Sequence, residues 1–167
     1  MFLAAFLIVG ALLGLEKFFE RGVSDLRDYF SGLRYALVLL APATTMRLFA
    51  EERRAGTLEL LFTLPVRPHE AVLAKFLAAV SLTGVGLVAG LLLPCTLAPF
   101  ADFDLGHLVS GYLGALLLAS SFLGIGLLCS SLSRSQEVSF LTAAGACLLL
   151  NLAGDARVLE RLSLIHI

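Results

Sequence analysis

The stretch FLAAVSLTGVGLVAGLLLPCTLAPFA, residues 76–101, holds no Asp, Glu, Lys or Arg, and that run decides the class of the protein. A helix that crosses a bilayer needs about 20 consecutive apolar residues, which this run exceeds. Leu105 to Ser133 is a second run of the same kind, broken only by one histidine, His107. The chain of 167 residues is 59% hydrophobic and 15% charged, with a mean hydropathy of +0.94. A soluble domain is nearer half apolar and a quarter charged. The fold class predicted is an all-α, polytopic transmembrane helical bundle.

Working outward, five apolar spans are expected, at residues 2–15, 35–49, 76–99, 108–132 and 138–152. They form a single domain over residues 1–161. At about 1.5 Å per residue the first reaches only about 21 Å, short of a core about 30 Å thick, so a missing beginning is expected. Arg34 and Arg47 bound the second span and are placed to snorkel to the interfaces, and Pro42 is expected to kink it. The closing LSLIHI, residues 162–167, resembles a translated sequencing-adapter joint and is expected to be non-native, which leaves His166 without a role.

Loop charge sets the orientation. Residues 47–75 hold five Lys/Arg, residues 100–107 none, and the turn at Arg134 one. The positive-inside rule therefore puts 47–75 and the Arg134 turn in the cytosol and the Asp102/Asp104 loop outside. Alternation puts 16–34 outside as well, against the count of Lys17, Arg21, Arg27 and Arg34. The amphipathic EKFFERGVSDLRDYF, residues 16–30, reads as a short helix lying on that outer surface. Gly10/Gly14, Gly86/Gly90, Gly111/Ala115 and Gly124/Gly126 have the small-residue spacing that lets helix backbones approach in lipid.

Most chemistry is excluded. No GxxxxGK[ST] occurs, so the chain has no P-loop for nucleotide. HEAVL at His69 opens like a zinc-protease helix, but Leu73 stands where the second ligand belongs. Cys95, Cys129 and Cys147 lie in apolar runs without metal-like or disulfide-like spacing. The serines of CSSLSRS, residues 129–135, have no nearby base to activate them and read as caps and inter-helix hydrogen bonders. No catalytic, cofactor-binding or metal residue is expected, and no basic run suggests nucleic acid. The central thirds of the spans hold no carboxylate or histidine, which weighs against an ion-coupled pump. MFLAAFLIVGALLGLEK has neither a basic leader nor an A-x-A site, so no signal peptide is expected.

The charged MRLFAEERRAGTLELLFTLP, residues 46–65, remains. Met46 to Phe62 is expected to continue helically past the membrane, with Glu51, Glu52, Arg53 and Arg54 solvated and Gly56 loosening it. Thr57 is a candidate N-cap for a second short helix with Glu59 in its first turn, a partial cap because position 60 is Leu. Pro65 ends that helix, and Pro68 fits the first turn of the next. The product is a cytosolic elbow over 47–75, with Leu58, Leu60, Leu61 and Phe62 as an apolar face. The residues alone leave two readings open, a docking surface and a stop-transfer cluster resting on the membrane.

Residues 45–79, TMRLFAEERRAGTLELLFTLPVRPHEAVLAKFLAA, resemble the signature of ABC type-2 transporter permeases, particularly the gliding-motility-associated branch. The matching positions are Phe49, Glu52, Arg53, Gly56, Thr57, Glu59, Leu60, Leu61, Pro65 and Lys75, with a weaker match over Gly111 to Phe140. The resemblance implies six spans per subunit, of which five are present, in the bacterial inner membrane. It implies a second permease subunit, separate cytosolic P-loop ATPase subunits, and an elbow that seats in a groove of the ATPase. Glu51, Glu52, Arg53, Arg54, Gly56, Thr57, Glu59, Leu60, Leu61 and Pro65 become the coupling residues. The function implied is ATP-driven transport, with export the expected direction. Three departures stand against the pattern: a short first span, no sixth span, and Arg67-Pro68 where a hydroxyl and an acid usually open the helix before Lys75. An ATP-independent secondary transporter and a non-transporting membrane scaffold are the alternatives.

Overall fold

The computed structural model describes residues 26–57, 67–92, 105–133 and 135–154. Five helices lie there: α1 (Leu26–Thr45), α2 (Ala50–Ala55), α3 (Pro68–Gly90), α4 (Leu105–Leu132) and α5 (Gln136–Ala153), with no strand among the described residues. Among the described residues four stretches are long and apolar enough to cross a membrane: Tyr29–Ala55, Pro68–Gly90, Gly106–Leu132 and Gln136–Ala153. The chain is a multi-pass membrane protein. The predicted first span, residues 2–15, and residues 16–25 of the predicted surface helix lie outside the described residues.

Local signals fix the helix ends. Pro68 occupies the first turn of α3, where its missing N–H costs nothing. Glu70 accepts the Arg67 N–H at 3.2 Å, half of a capping box; the other half is closed to Arg67, whose guanidinium has no acceptor. Ser135 caps α5 by accepting the Val138 N–H at 3.4 Å, as the serine-rich turn led one to expect. Gly56 ends α2 at φ 71°, a left-handed turn that a Cβ would strain.

α4 is the hub, in contact with each of the other four helices. The core joins Leu33, Leu37, Val38 and Ala41 of α1 to Ala79 and Leu87 of α3, Phe122 and Leu123 of α4, and Cys147 of α5. Around it Leu77, Val88, Leu113, Leu117, Leu141 and Leu149 face outward, an apolar exterior suited to lipid or to an apolar partner surface. α5 turns a stripe at four-residue spacing, Ser139, Ala143, Cys147 and Asn151, to the interior. These small and polar side chains let its backbone come close, and the Cys147 thiol sits 4.0 Å from the Phe122 carbonyl.

α1 and α4 lie side by side in a constant register. A Cβ on Gly111 would overlap the Phe30 ring, and one on Gly126 would overlap the Thr45 hydroxyl. Phe49 N–H bonds the Ser130 hydroxyl across the same 81 residues. The two helices therefore run in one direction, with glycine at the points of closest approach.

Two expectations need correction. The second span was expected to begin at Tyr35, yet α1 begins nine residues earlier, at Leu26. The physical reason is aromatic: Tyr29 and Phe30 pack edge-on, Phe30 meets the Tyr112 ring, and the Tyr29 and Tyr112 hydroxyls bond at 2.9 Å. Residues 26–30 thus belong to a bundle helix rather than to a separate surface helix. α1 runs unbroken through Pro42, and the interruption falls at residues 46–49, so the helix does not continue straight on from Met46 as expected. α3 opens at Pro68, as its fit to a first turn led one to expect, and runs on into the apolar segment that begins at Phe76. Lys75 is therefore a helix residue and not a loop charge.

Replacing Gly126 with Ala should destabilise the bundle by about 1–3 kcal/mol, because buried Thr45 cannot withdraw. Gly114→Ala is the control: a Cβ there meets nothing within 4 Å, so its melting temperature should equal or slightly exceed the parent's. Thermal unfolding in detergent reads both.

Candidate functional site

The site is the break that follows α1. Met46 N–H still reaches the Pro42 carbonyl at 2.9 Å, and Leu48 N–H turns to Thr45 O at 3.1 Å. The chain then starts again as α2, whose opening amides have no helical partner of their own. One hydroxyl supplies it. Ser130 Oγ accepts from Phe49 N–H at 3.1 Å and Ala50 N–H at 3.2 Å, and donates to Met46 O at 3.2 Å. Ser130 is 1% exposed and Ala50 fully buried, so water cannot substitute for these bonds.

A second anchor comes from α3. Lys75 Nζ lies 2.5 Å from the Glu52 carboxylate and from the Leu48 carbonyl, and 4.1 Å from the centre of the Phe49 ring. One ammonium thus meets an anion, a carbonyl and an aromatic face. On the other side, the Arg53 guanidinium donates to Leu132 O at the end of α4, 3.4 Å away. Three helices converge on a six-residue helix: α4 through Ser130 and Leu132, α3 through Lys75, α1 through the connecting turn.

The predicted elbow residues divide accordingly. Glu51, Arg53 and Arg54 are exposed, Glu52 is half-buried, and Gly56 forms the left-handed stop. The Thr57 hydroxyl turns back onto Glu52 O at 3.3 Å, closing α2. Glu59, Leu60, Leu61 and Pro65 lie outside the described residues. Sequence reasoning missed Ser130 as the partner of the break, although it singled out the serine cluster. Lys75 entered as a matching position without a role. Its signal was position: a cation immediately before a charge-free run, with Glu51 and Glu52 upstream.

A model of the family described as ABC-2 family transporter protein matches residues 5–164, nearly the whole chain. No curated protein and no solved structure matches it.

Two outcomes test the anchors. Ser130→Ala leaves two buried amides unpaired and should cost about 1–3 kcal/mol; amide exchange at Ala50 should accelerate while that at Ala79 does not. Glu52 and Lys75 are 34% and 18% exposed, so solvent screens the pair. A double-mutant cycle with Glu52→Gln and Lys75→Met should return a coupling of about 1 kcal/mol.

Proposed function

The chain belongs to the ABC-2 transporter family, as a membrane component and not a catalytic one, and from that membership we propose that it is the permease subunit of an ATP-driven transporter. In this reading α2 and the residues after it form a cytosolic elbow that seats on a separate P-loop ATPase subunit. A second permease subunit completes the pathway. The observation that carries the reading is the way α2 is mounted. Its outer surface presents Glu51 and Arg54, while Ser130, Leu132 (through Arg53) and Lys75 tie its other side to α4 and α3. A push on the exposed face therefore reaches two membrane helices at once.

A stop-transfer cluster would need no such mounting, because charges that merely halt insertion work equally well on a loose loop. Ion coupling has little support from the central parts of α3, α4 and α5, which hold no Asp, Glu, Lys, Arg or His. Export, a bacterial inner-membrane location and a place in the gliding-motility branch rest on the resemblance of residues 45–79.

The test is charge reversal on the exposed face alone, Glu51→Arg with Arg54→Glu, in the assembled transporter. Neither side chain anchors the fold, so the variant should insert and melt like the parent. Its grip on the ATPase should weaken at least roughly tenfold, as loss of interfacial charge pairs does, and transport should fall with it. Undiminished ATPase binding and transport would contradict the reading, as would transport that persists without ATP.

A further inference from the structure

Three of the four long helices are tied to one another by hydrogen bonds, and α5 is not. Near α2, Ser130 joins α4 to the end of α1, and Lys75 joins α3 to the same turn. At the far end of the α1–α4 pair a single hydroxyl joins all three. Tyr29 bonds the Tyr112 hydroxyl at 2.9 Å and donates to the Gly90 carbonyl of α3, 3.4 Å away. From α5 the one polar contact to another described helix is the Cys147 thiol, 4.0 Å from the Phe122 carbonyl. The polar groups on its interior stripe are left over. Ser139 is fully buried and Asn151 only 5% exposed, yet the Ser139 hydroxyl and both amide atoms of Asn151 have no partner among the described residues. Buried polar groups are nearly always paired, so two orphans on one face of one helix require a cause.

Register supplies it. Cys147, eleven residues past the start of α5, meets Phe122, ten residues before the end of α4, so the two helices lie antiparallel. Counting back from Cys147 puts Ser139 level with Ser130, and counting on puts Asn151 level with Leu118. Neither neighbour can help. The Ser130 hydroxyl already accepts two amides and donates to Met46 O, which uses its whole capacity, and Leu118 has only a hydrocarbon side chain. A shift of α5 by one turn toward the α2 end changes both environments. Asn151 then comes level with Phe122, whose carbonyl now faces the Cys147 thiol, and Ser139 passes Leu132 at the end of α4, where water reaches it. Ala143 and Cys147 meanwhile move level with Ser130 and Gly126, so small side chains stay against small ones.

We propose that α5 slides by one helical turn, about 5.4 Å, against the hydrogen-bonded frame of α1, α3 and α4, between the register described and one in which Asn151 donates to the Phe122 carbonyl. The four-residue spacing of Ser139, Ala143, Cys147 and Asn151 makes the two registers alike in packing. The second gains a partner for a buried amide, which in the first goes without, so both are populated. On the permease reading, α5 is the helix against which the frame moves. The slide itself requires only the described helices and neither ATP nor an ATPase, so either proposal can fail without the other.

The test is a distance measurement between spin labels in the full chain, reconstituted in phosphatidylcholine without ATPase or nucleotide, its three native cysteines replaced by alanine. Labels at Leu117 of α4 and Leu141 of α5, both exposed, are offset by about 16 Å along the helix axes, so the slide lengthens their separation by about 4 Å. This pair should give two distances, and a control pair within the frame, Leu77 and Leu117, both exposed, should give one. Asn151→Val and Asn151→Ala remove the amide and should leave only the shorter distance. Because an unpaired buried group is lost, at least one of them should melt at or above the parent's temperature. A single Leu117–Leu141 distance in the parent would overturn the proposal, as would two distances that survive both substitutions. A lower melting temperature in both variants would also overturn it, since the amide would then already be bonded, to an internal water or to a second copy.

Discussion

In lipid every backbone N–H and C=O must find its partner within the protein, and at the end of α1 that requirement falls on one hydroxyl. The helix stops at Thr45 and resumes at Ala50. Ser130 accepts the two amides that the restart exposes and donates to a carbonyl that the stop releases. The rest of the arrangement follows from delivering that hydroxyl. α4 must approach closely, which the bare Gly126 beneath Thr45 permits, and it must run parallel to α1 in fixed register. Once Ser130 is in place, α2 is held to α4, and its charged face has a defined direction.

The same register links two features at opposite ends of one helix pair. At one end α2 is clamped between Ser130, Leu132 and Lys75. At the other, Arg34 and His107 rim an open cleft. Between them the contact is buried and close-packed, with Leu33, Leu37, Phe122 and Leu123 at its centre. Close-packed interiors transmit displacement instead of absorbing it. Lys75 extends the connection to α3, so movement of α2 engages three of the four long helices. On the proposed reading such a frame relates the elbow to the membrane helices.

The membrane class was legible in the sequence, because charge-free runs longer than 20 residues have one physical reading. The later spans were placed within three residues: α4 starts at Leu105 against an expected 108, and α5 at Gln136 against 138. Where reasoning failed, the deciding contact was remote. Residues 16–30 read as a separate surface helix, yet Tyr29 and Phe30 find Tyr112 and draw residues 26–30 into the bundle. The break at 46–49 has no Gly or Pro of its own to announce it. Its partner is Ser130, 81 residues distant in sequence, and no local propensity encodes that. Of the candidate elbow, Glu51 to Thr57 was legible as a charged, glycine-stopped helix, whereas its dependence on Lys75 required the fold.

The central claim is that α2 and the end of α4 move as one body. The most direct measurement is the distance between spin labels at Arg54 and Leu132, both exposed, in a chain whose three native cysteines have been replaced. The account predicts one narrow distance, kept when the ATPase subunit is added with a non-hydrolysable nucleotide. A broad distribution, or a distance that shifts on that addition, would contradict it.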